Sequence, residues 1–209
     1  MTQTLFVGKH NITVEGPSDY LYLTWFSAEL RSRERKGLDR RWRIAPTGGI
    51  DKIASFVALF GANKLHIAVL SDYHSGDKKK VNDLRTSKLL QDGHVFTAEV
   101  YVGQPEADIE DVIGRANYVE LVNRAYALDP AKRLPVTKPD GAPALVVQEA
   151  EAHFRLLPVG APEFDHYRPA EYLMVNGARV KRALLELDAA LDRFEKLFAD
   201  LNKLLPSSD

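Results

Sequence analysis

The chain has 209 residues, 45% of them hydrophobic and 27% charged, which suffices for one α/β core with an appendage or for two small domains. Its 28 basic residues are balanced by 29 acidic ones, so no overall positive charge indicates nucleic-acid binding. The absence of cysteine excludes disulfides, iron–sulfur clusters and thiolate zinc sites. The sequence shows no signal peptide and no apolar run long enough to span a bilayer, which predicts a cytoplasmic protein without a membrane partner.

Strand and helix patterns alternate over residues 1–102. Strands are predicted at 5–7 together with 12–14, at 42–45, at 66–70 and at 94–102. Helices are predicted at 18–35, at 50–60 and at 77–91, the second of them ended by Gly61, Ala62 and Asn63. Three consecutive strand–helix units predict an α/β fold with a parallel, right-handed, Rossmann-like sheet flanked by helices.

From residue 108 onward helical patterns replace the strands, at 109–127, 145–157 and 178–205. The last pattern has apolar residues at alternating spacings of three and four: Leu184, Leu187, Leu191, Phe194, Phe198, Leu201 and Leu205. This seam predicts packing against other helices of the chain or, alternatively, a homodimer through the 184–205 helix. We therefore expect an α/β domain over 1–115 and a helical domain over 116–209 that ends in a long helix.

Acidic residues follow two of the predicted strands. The sequence Val-Glu-Gly-Pro-Ser-Asp at 14–19 contributes Glu15 and Asp19, and Val-Leu-Ser-Asp at 69–72 contributes Asp72. Because the carboxyl ends of parallel strands form the ligand crevice of an α/β sheet, these carboxylates are expected to face one crevice.

A third acidic segment, Asp-Ile-Glu-Asp at 108–111, opens the first of the later helices. There Asp108 and Glu110 flank the buried stripe, whereas Asp111 points away from it. The alternative interpretation is that Asp19 and Asp108 only cap helices, with Asp111 completing a capping box.

Carboxylates without thiolates suit Mg²⁺ or Mn²⁺ better than zinc, and the six histidines show no metal-binding spacing. Four acids from three segments are enough for one or two divalent ions. A pair of such ions activates a water and stabilises the leaving oxygen when a phosphodiester is cleaved.

The segments at 14–19 and 69–72 resemble a TOPRIM domain, the metal-binding fold shared by topoisomerases, primases and several nucleases. Together with Gly48 and Gly49, the 108–111 segment and the helical tail, they resemble the nuclease half of OLD-family (overcoming lysogenization defect) proteins over most of the chain. The resemblance implies a TOPRIM domain over 1–115 that cleaves DNA with two Mg²⁺ or Mn²⁺ ions. By position it implies these metal ligands: Glu15, Asp19, Asp72, Asp108 and Glu110, with Asp72 also counted as catalytic.

The chain departs from these families at two points. The usual TOPRIM Asp-x-Asp reads Asp72-Tyr73-His74, so His74 either binds a softer ion such as Mn²⁺ or faces solvent. OLD-family proteins carry an N-terminal ABC-type ATPase, yet the chain has no Gly-x-x-x-x-Gly-Lys-Ser/Thr loop, and its Gly48-Gly49 pair is interpreted as a tight turn rather than a phosphate contact. We therefore expect either the C-terminal region of a longer protein with such an ATPase domain or a stand-alone relative.

Basic residues near the acids are candidates for holding a DNA backbone, or else are solvated helix faces. The candidate DNA-binding residues are Arg40, Arg41, Arg43, Lys78 and Lys79. The family resemblance also implies a catalytic lysine near Lys181, which reaches the active site and stabilises charge in the transition state. The alternative for Lys181 is a surface lysine at a helix start.

These observations favour a metal-dependent DNA endonuclease with little sequence preference. A non-catalytic TOPRIM scaffold that binds DNA or protein in recombination and repair is the main alternative, which the missing second acid supports. A primase-like polymerase is a third interpretation, weakened by the absence of zinc-binding and helicase segments. The sequence Phe-Asp-His-Tyr-Arg-Pro at 164–169 is dense in polar and aromatic groups and is interpreted only as the connection that docks the last helix.

Overall fold

The computed structural model of the chain describes residues 8–61, 65–88, 90–91 and 93–207. The predicted strand at 5–7 and the helix end at Ala62 and Asn63 lie outside these residues. The sheet contains β1 (His10–Val14), β2 (Trp42–Pro46), β3 (His66–Ser71) and β4 (Val95–Thr97). All pairings are parallel and the strand order is β2-β1-β3-β4, so the predicted parallel α/β sheet is confirmed.

Helices flank the sheet and then continue as a helical region toward the C-terminus. They are α1 (Pro17–Ser32), α2 (Ile50–Gly61), α3 (Lys78–Arg85), α4 (Glu99–Val102), α5 (Ile109–Ile113), α6 (Arg115–Ala125), α7 (Val146–Arg155), α8 (Tyr167–Val180) and α9 (Leu187–Lys203). Side chains alternate between the two faces of β3: Ile67 and Val69 join the apolar cluster under α2 and α3, whereas Ala68 and Leu70 join the larger cluster under α1 and the later helices. The sheet is therefore buried on both faces.

The strand at 94–102 is shorter than predicted. Only residues 95–97 pair with β3, and α4 follows at once. The hydroxyl of Thr97 donates a hydrogen bond to Oε1 of Glu99 at 2.8 Å, which fixes the start of that helix. The helix predicted at 77–91 likewise ends at Arg85, where the hydroxyl of Thr86 bonds to the carbonyl of Asn82 at 2.9 Å.

Two of the long helices predicted in the second half are broken. The pattern at 109–127 is split between α5 and α6 at Gly114, whose φ of +90° is unsuited to a helix and favours glycine. The pattern at 178–205 is split between α8 and α9, because the backbone amide of Glu186 bonds to the side chain of Asn117 at 3.0 Å instead of to a helical carbonyl.

The apolar seam of the last helix is buried within the chain. All seven predicted seam residues, from Leu184 to Leu205, are at most 8% exposed and belong to the large core cluster. Phe194 stacks on Phe26 of α1 with ring centroids 4.0 Å apart. This arrangement agrees with packing inside the chain and leaves none of the seam residues exposed for a homodimer contact.

The larger apolar cluster extends from the sheet into the helical region. Its buried members come from both sides of the predicted boundary at 115/116, for example Ile12 and Phe26 on one side and Phe198 on the other. A close contact also joins the two regions, since a Cβ atom added to Gly177 of α8 would clash with the indole nitrogen of Trp25. Within the described ranges, no helix has the length and apolar character needed to cross a membrane.

An acidic pocket at the carboxyl edge of the sheet

A pocket of about 500 Å³ lies at the carboxyl ends of β1 and β3. The strand order reverses between these two neighbours, because β2 lies on one side of β1 and β3 lies on the other. Such a reversal opens the crevice in which α/β sheets bind ligands. The five predicted metal ligands all line this pocket: Glu15, Asp19, Asp72, Asp108 and Glu110.

Glu15 connects the ends of three strands. Its Oε1 accepts hydrogen bonds from the hydroxyl of Ser71 at 2.6 Å and from the backbone amide of Asp72 at 3.2 Å. Its carbonyl accepts from the amides of Gly48 and Gly49, at 2.7 and 3.0 Å. Both glycines have positive φ, +87° and +114°, so the pair forms the predicted tight turn after β2 and fixes the backbone of Glu15.

Asp19 and Asp72 each bond to the backbone of a neighbouring segment. The carboxylate of Asp19 lies in the first turn of α1, which begins at Pro17 rather than at Ser18, and accepts from the amide of Gly16 at 2.8 Å. The carboxylate of Asp72 accepts from the amide of Ile109 at 3.0 Å and so joins the end of β3 to the start of α5.

The three acids of the 108–111 segment have two different roles. Asp111 accepts from the backbone amides of Asp108 at 3.0 Å and Val146 at 3.2 Å, which confirms the predicted capping box. Asp108 and Glu110 are both buried and line the pocket, so capping does not exclude Asp108 from it.

His74 lies in the pocket between two carboxylates. Its Nε2 bonds to Asp108, and its Nδ1 lies 3.5 Å from Asp77. Burial alone lowers the pKa of His74, but the bond to Asp108 and the surrounding carboxylates outweigh it and raise that pKa. The surrounding acids therefore favour the protonated form of this imidazole.

Burial of these acids disfavours their charged forms. Burial raises the pKa of Asp19 to about 7, and the charge of Glu15 adds to the effect. Burial, followed by the charge of Asp19, also raises the pKa values of Asp72 and Glu110 well above the usual range. Among the described residues, no lysine or arginine lines the pocket. The compensating charge must come from protons or from a bound cation.

The donor set fits a hard divalent ion that keeps part of its water shell. No three histidine or acidic side chains within the described ranges form a ready ligand cluster for a metal. Mg²⁺ and Mn²⁺ sites commonly use only one or two carboxylates and fill the other positions with water and substrate phosphate. An open pocket with five carboxylates and no lysine or arginine on its described walls meets that requirement.

Lys181 is not part of the pocket. Its ammonium lies 3.1 Å from Oε2 of Glu29 on α1. Glu29 follows Asp19 by ten residues, so Lys181 contacts α1 about 15 Å along its axis from the acids. The structure thus places Lys181 in an ion pair between α1 and the turn after α8.

The two predicted DNA-binding groups lie at opposite edges of the sheet. Lys78 and Lys79 begin α3, shortly after the carboxyl end of β3, and so share an edge with the acids. Arg40 and Arg41 precede β2, whose first residue lies beside the first residue of β1, and Arg43 is its second residue, so this group lies at the amino edge. Arg41 is held by Asp39 at 3.0 Å.

The residues that line the pocket opposite the strand ends were not predicted from the sequence. His166, just before α8, and Glu151 of α7 line the pocket, and their Nε2 and Oε1 atoms lie 2.9 Å apart. The only sequence signal was the density of polar and aromatic groups at 164–169. Two buried hydroxyls near the acids, those of Tyr22 and Tyr118, were also missed, and neither has a hydrogen-bond partner among the described residues.

A histidine cluster at the amino edge was likewise not indicated by any sequence pattern. His10 and His66 lie side by side on β1 and β3 with their Nδ1 atoms 2.9 Å apart, and His94 lies against His66 with ring centroids 4.9 Å apart.

Comparisons of the chain with protein families, with curated proteins and with solved structures found no match.

Proposed function

We propose that the chain is a TOPRIM-type, metal-dependent DNA endonuclease, related to the nuclease half of OLD-family proteins. One observation carries the proposal: five carboxylates from three chain segments line one pocket at the strand-order reversal, and no lysine or arginine among the described residues neutralises them. Buried carboxylates with raised pKa values create the demand for cations that a two-metal phosphodiesterase uses.

The chain's own residues hold and orient the reactants. Two Mg²⁺ or Mn²⁺ ions would supply an activated water and compensate the charge on the leaving oxygen. Glu15, Asp72 and Glu110 would hold these ions, with Asp19 and Asp108 completing the acidic wall. The bonds from Ser71 and the amide of Asp72 fix Glu15 at the floor of the pocket, which preorganises the site.

The DNA backbone would run along the carboxyl edge of the sheet. Lys78 and Lys79 are the cationic candidates at that edge, and both are exposed. They would contact phosphates without reading bases, which agrees with cleavage of little sequence preference. In this proposal an ABC-type ATPase is the partner that controls access of the DNA, as the OLD resemblance implies.

A supercoiled-plasmid assay tests this function. We expect nicked and linear products with Mg²⁺ or Mn²⁺ and none with EDTA. Glu15→Gln and Asp72→Asn should abolish cleavage, because each removes a carboxylate charge while keeping the size of the side chain. Asp188→Asn is the matched control, since Asp188 is an exposed acid of α9 outside the pocket.

One observation favours the scaffold alternative. His74 occupies the position of the second TOPRIM acid and already pairs with Asp108. If the folded wild-type chain binds DNA but cleaves it with neither metal, the nuclease proposal is wrong and the scaffold is supported.

A further inference from the structure

We propose that His166, held by Glu151, is the proton donor to the leaving sugar oxygen when the phosphodiester is cleaved. This inference rests on the proposed nuclease function and deepens it. It assigns to a histidine of the helical region the charge-compensating task that the OLD resemblance gives to a lysine.

The residues on both sides of His166 are anchored at the C-terminal end of α6. The amide of Asp165 donates to the hydroxyl of Tyr126 at 2.6 Å, and that hydroxyl donates back to the carbonyl of Asp165 at 3.2 Å. Arg168 donates to the carbonyl of Ala125 at 3.1 Å and lies over the ring of Tyr126 at 4.3 Å. These contacts of Asp165 and Arg168 fix the backbone position of His166.

The imidazole itself lines the pocket and lies beside the ring of Phe164, with ring centroids 5.3 Å apart. The side chain of His166 is 50% exposed, and its Nε2 donates to Oε1 of Glu151 at 2.9 Å. This bond orients the ring, and in the protonated imidazolium it leaves Nδ1–H as the donor that can meet a substrate. Burial raises the pKa of Asp108, and charge on His74 and then on His166 lowers it, so the imidazole lies within electrostatic reach of the acids.

The alternatives for proton donation are weaker. His74 is the other imidazole among the described pocket residues, and it is already bonded to Asp108 and close to Asp77. Lys181 pairs with Glu29 outside the pocket. His166 is therefore the nitrogen base of the described walls that remains able to meet a substrate.

Atoms and charge balance in this step. The oxygen of a water forms a bond to phosphorus while the bond from phosphorus to the leaving sugar oxygen breaks, and that oxygen keeps the bonding electrons. The oxygen takes the proton from Nδ1 of His166 and becomes a free hydroxyl, while the attacking water releases its proton to solvent. Solvent then returns a proton to His166.

Two substrates separate proton donation from other roles. Supercoiled plasmid has a poor leaving group that needs a proton, whereas bis(4-nitrophenyl) phosphate releases nitrophenolate without one. With Mn²⁺, we expect His166→Gln to slow plasmid cleavage at least about 100-fold but to hydrolyse the nitrophenyl ester at the wild-type rate. Glu151→Gln should slow plasmid cleavage by a smaller factor and should likewise leave hydrolysis of the nitrophenyl ester at the wild-type rate. His153→Gln is the control, because His153 lies on the same helix as Glu151 but bonds to the carbonyl of Lys132.

The outcomes distinguish this inference from the proposed function. An active wild type whose His166→Gln variant loses neither activity, or loses both equally, overturns proton donation alone. A wild type inactive on both substrates overturns the proposed function and this inference together. Glu15→Gln should lose both activities, which marks a defect of the acidic site rather than of proton donation.

Discussion

The ammonium of Lys181 lies 3.1 Å from Oε2 and 3.3 Å from Oε1 of Glu29, in an ion pair that joins the turn after α8 to α1. Glu29 is 8% exposed and also accepts a hydrogen bond from Arg33 at 2.9 Å. Removing a cationic partner from a buried carboxylate is destabilising, because the remaining charge is left less compensated. The ion pair lies away from the acidic pocket and so is separate from its chemistry.

We therefore expect Lys181→Met to lower the free energy of unfolding by about 1 kcal/mol, because Arg33 still partners Glu29. DNA cleavage should stay at the wild-type rate. Urea unfolding and the plasmid assay measure the two effects, and a Glu29→Gln/Lys181→Met double variant should recover part of the lost stability. Loss of cleavage with unchanged stability would contradict this expectation and would support the catalytic role of Lys181 that the family resemblance implies.

Asp19 makes the stability of the metal-free chain depend on pH. Burial raises the pKa of Asp19 from 3.8 to about 7. Between those values the folded chain binds more protons than the unfolded chain, so the free energy of unfolding falls as pH rises through this range. The Asp19→Asn variant keeps an oxygen for the amide of Gly16 and removes the buried charge.

In EDTA, Asp19→Asn should raise the melting temperature by at least about 2 °C at pH 8 and change it less at pH 5. Mn²⁺ should raise the melting temperature of the wild type at pH 8 and that of the variant by a smaller amount. Differential scanning fluorimetry at both pH values measures this, and an equal effect at pH 5 and pH 8 would show that Asp19 does not carry buried charge.

The position of the acids was predictable because it depends on local patterns. Glu15 and Asp72 each follow an apolar strand, and parallel pairing brings the ends of neighbouring strands to one edge. The contribution of His166 was not predictable, since it depends on how α8 packs on α1 and on the anchors to Tyr126, which no local pattern encodes. The break before α9 was missed for the same reason: Asn117, which captures the amide of Glu186, is distant in sequence.

The packing of α8 on α1 can be tested at Gly177. A methyl group there would clash with Nε1 of Trp25 and lie 3.0 Å from another atom of its ring, so one of the helices must shift. We expect Gly177→Ala to destabilise the fold by about 2 kcal/mol, measured by urea unfolding. Gly160→Ala is an instructive comparison: its φ of +94° strains alanine, yet no atom lies within 4 Å of the added methyl. A Gly177→Ala variant as stable as the wild type would contradict this close packing of α8 on α1.

The two basic groups should differ in DNA binding. Lys78→Ala/Lys79→Ala should weaken binding of a DNA duplex and reduce the slope of log Kd against log salt by about 0.9 for each phosphate that the lysines neutralise in the wild type. Arg40→Ala/Arg43→Ala should leave both unchanged, because these arginines lie at the amino edge of the sheet. Fluorescence anisotropy in EDTA measures binding without cleavage. The reverse ranking would place the DNA on the amino edge and contradict the proposed path.

The acidic pocket is proposed above all as a divalent-cation site. The most direct test is a titration with Mn²⁺ in which electron paramagnetic resonance measures how much Mn²⁺ binds. We predict about two bound Mn²⁺ ions per wild-type chain, reduced binding in Asp72→Asn and Glu110→Gln, and wild-type binding in the Asp188→Asn control. A folded wild type that binds no Mn²⁺, or an Asp72→Asn variant that binds it as the wild type does, would contradict a cation site in this pocket.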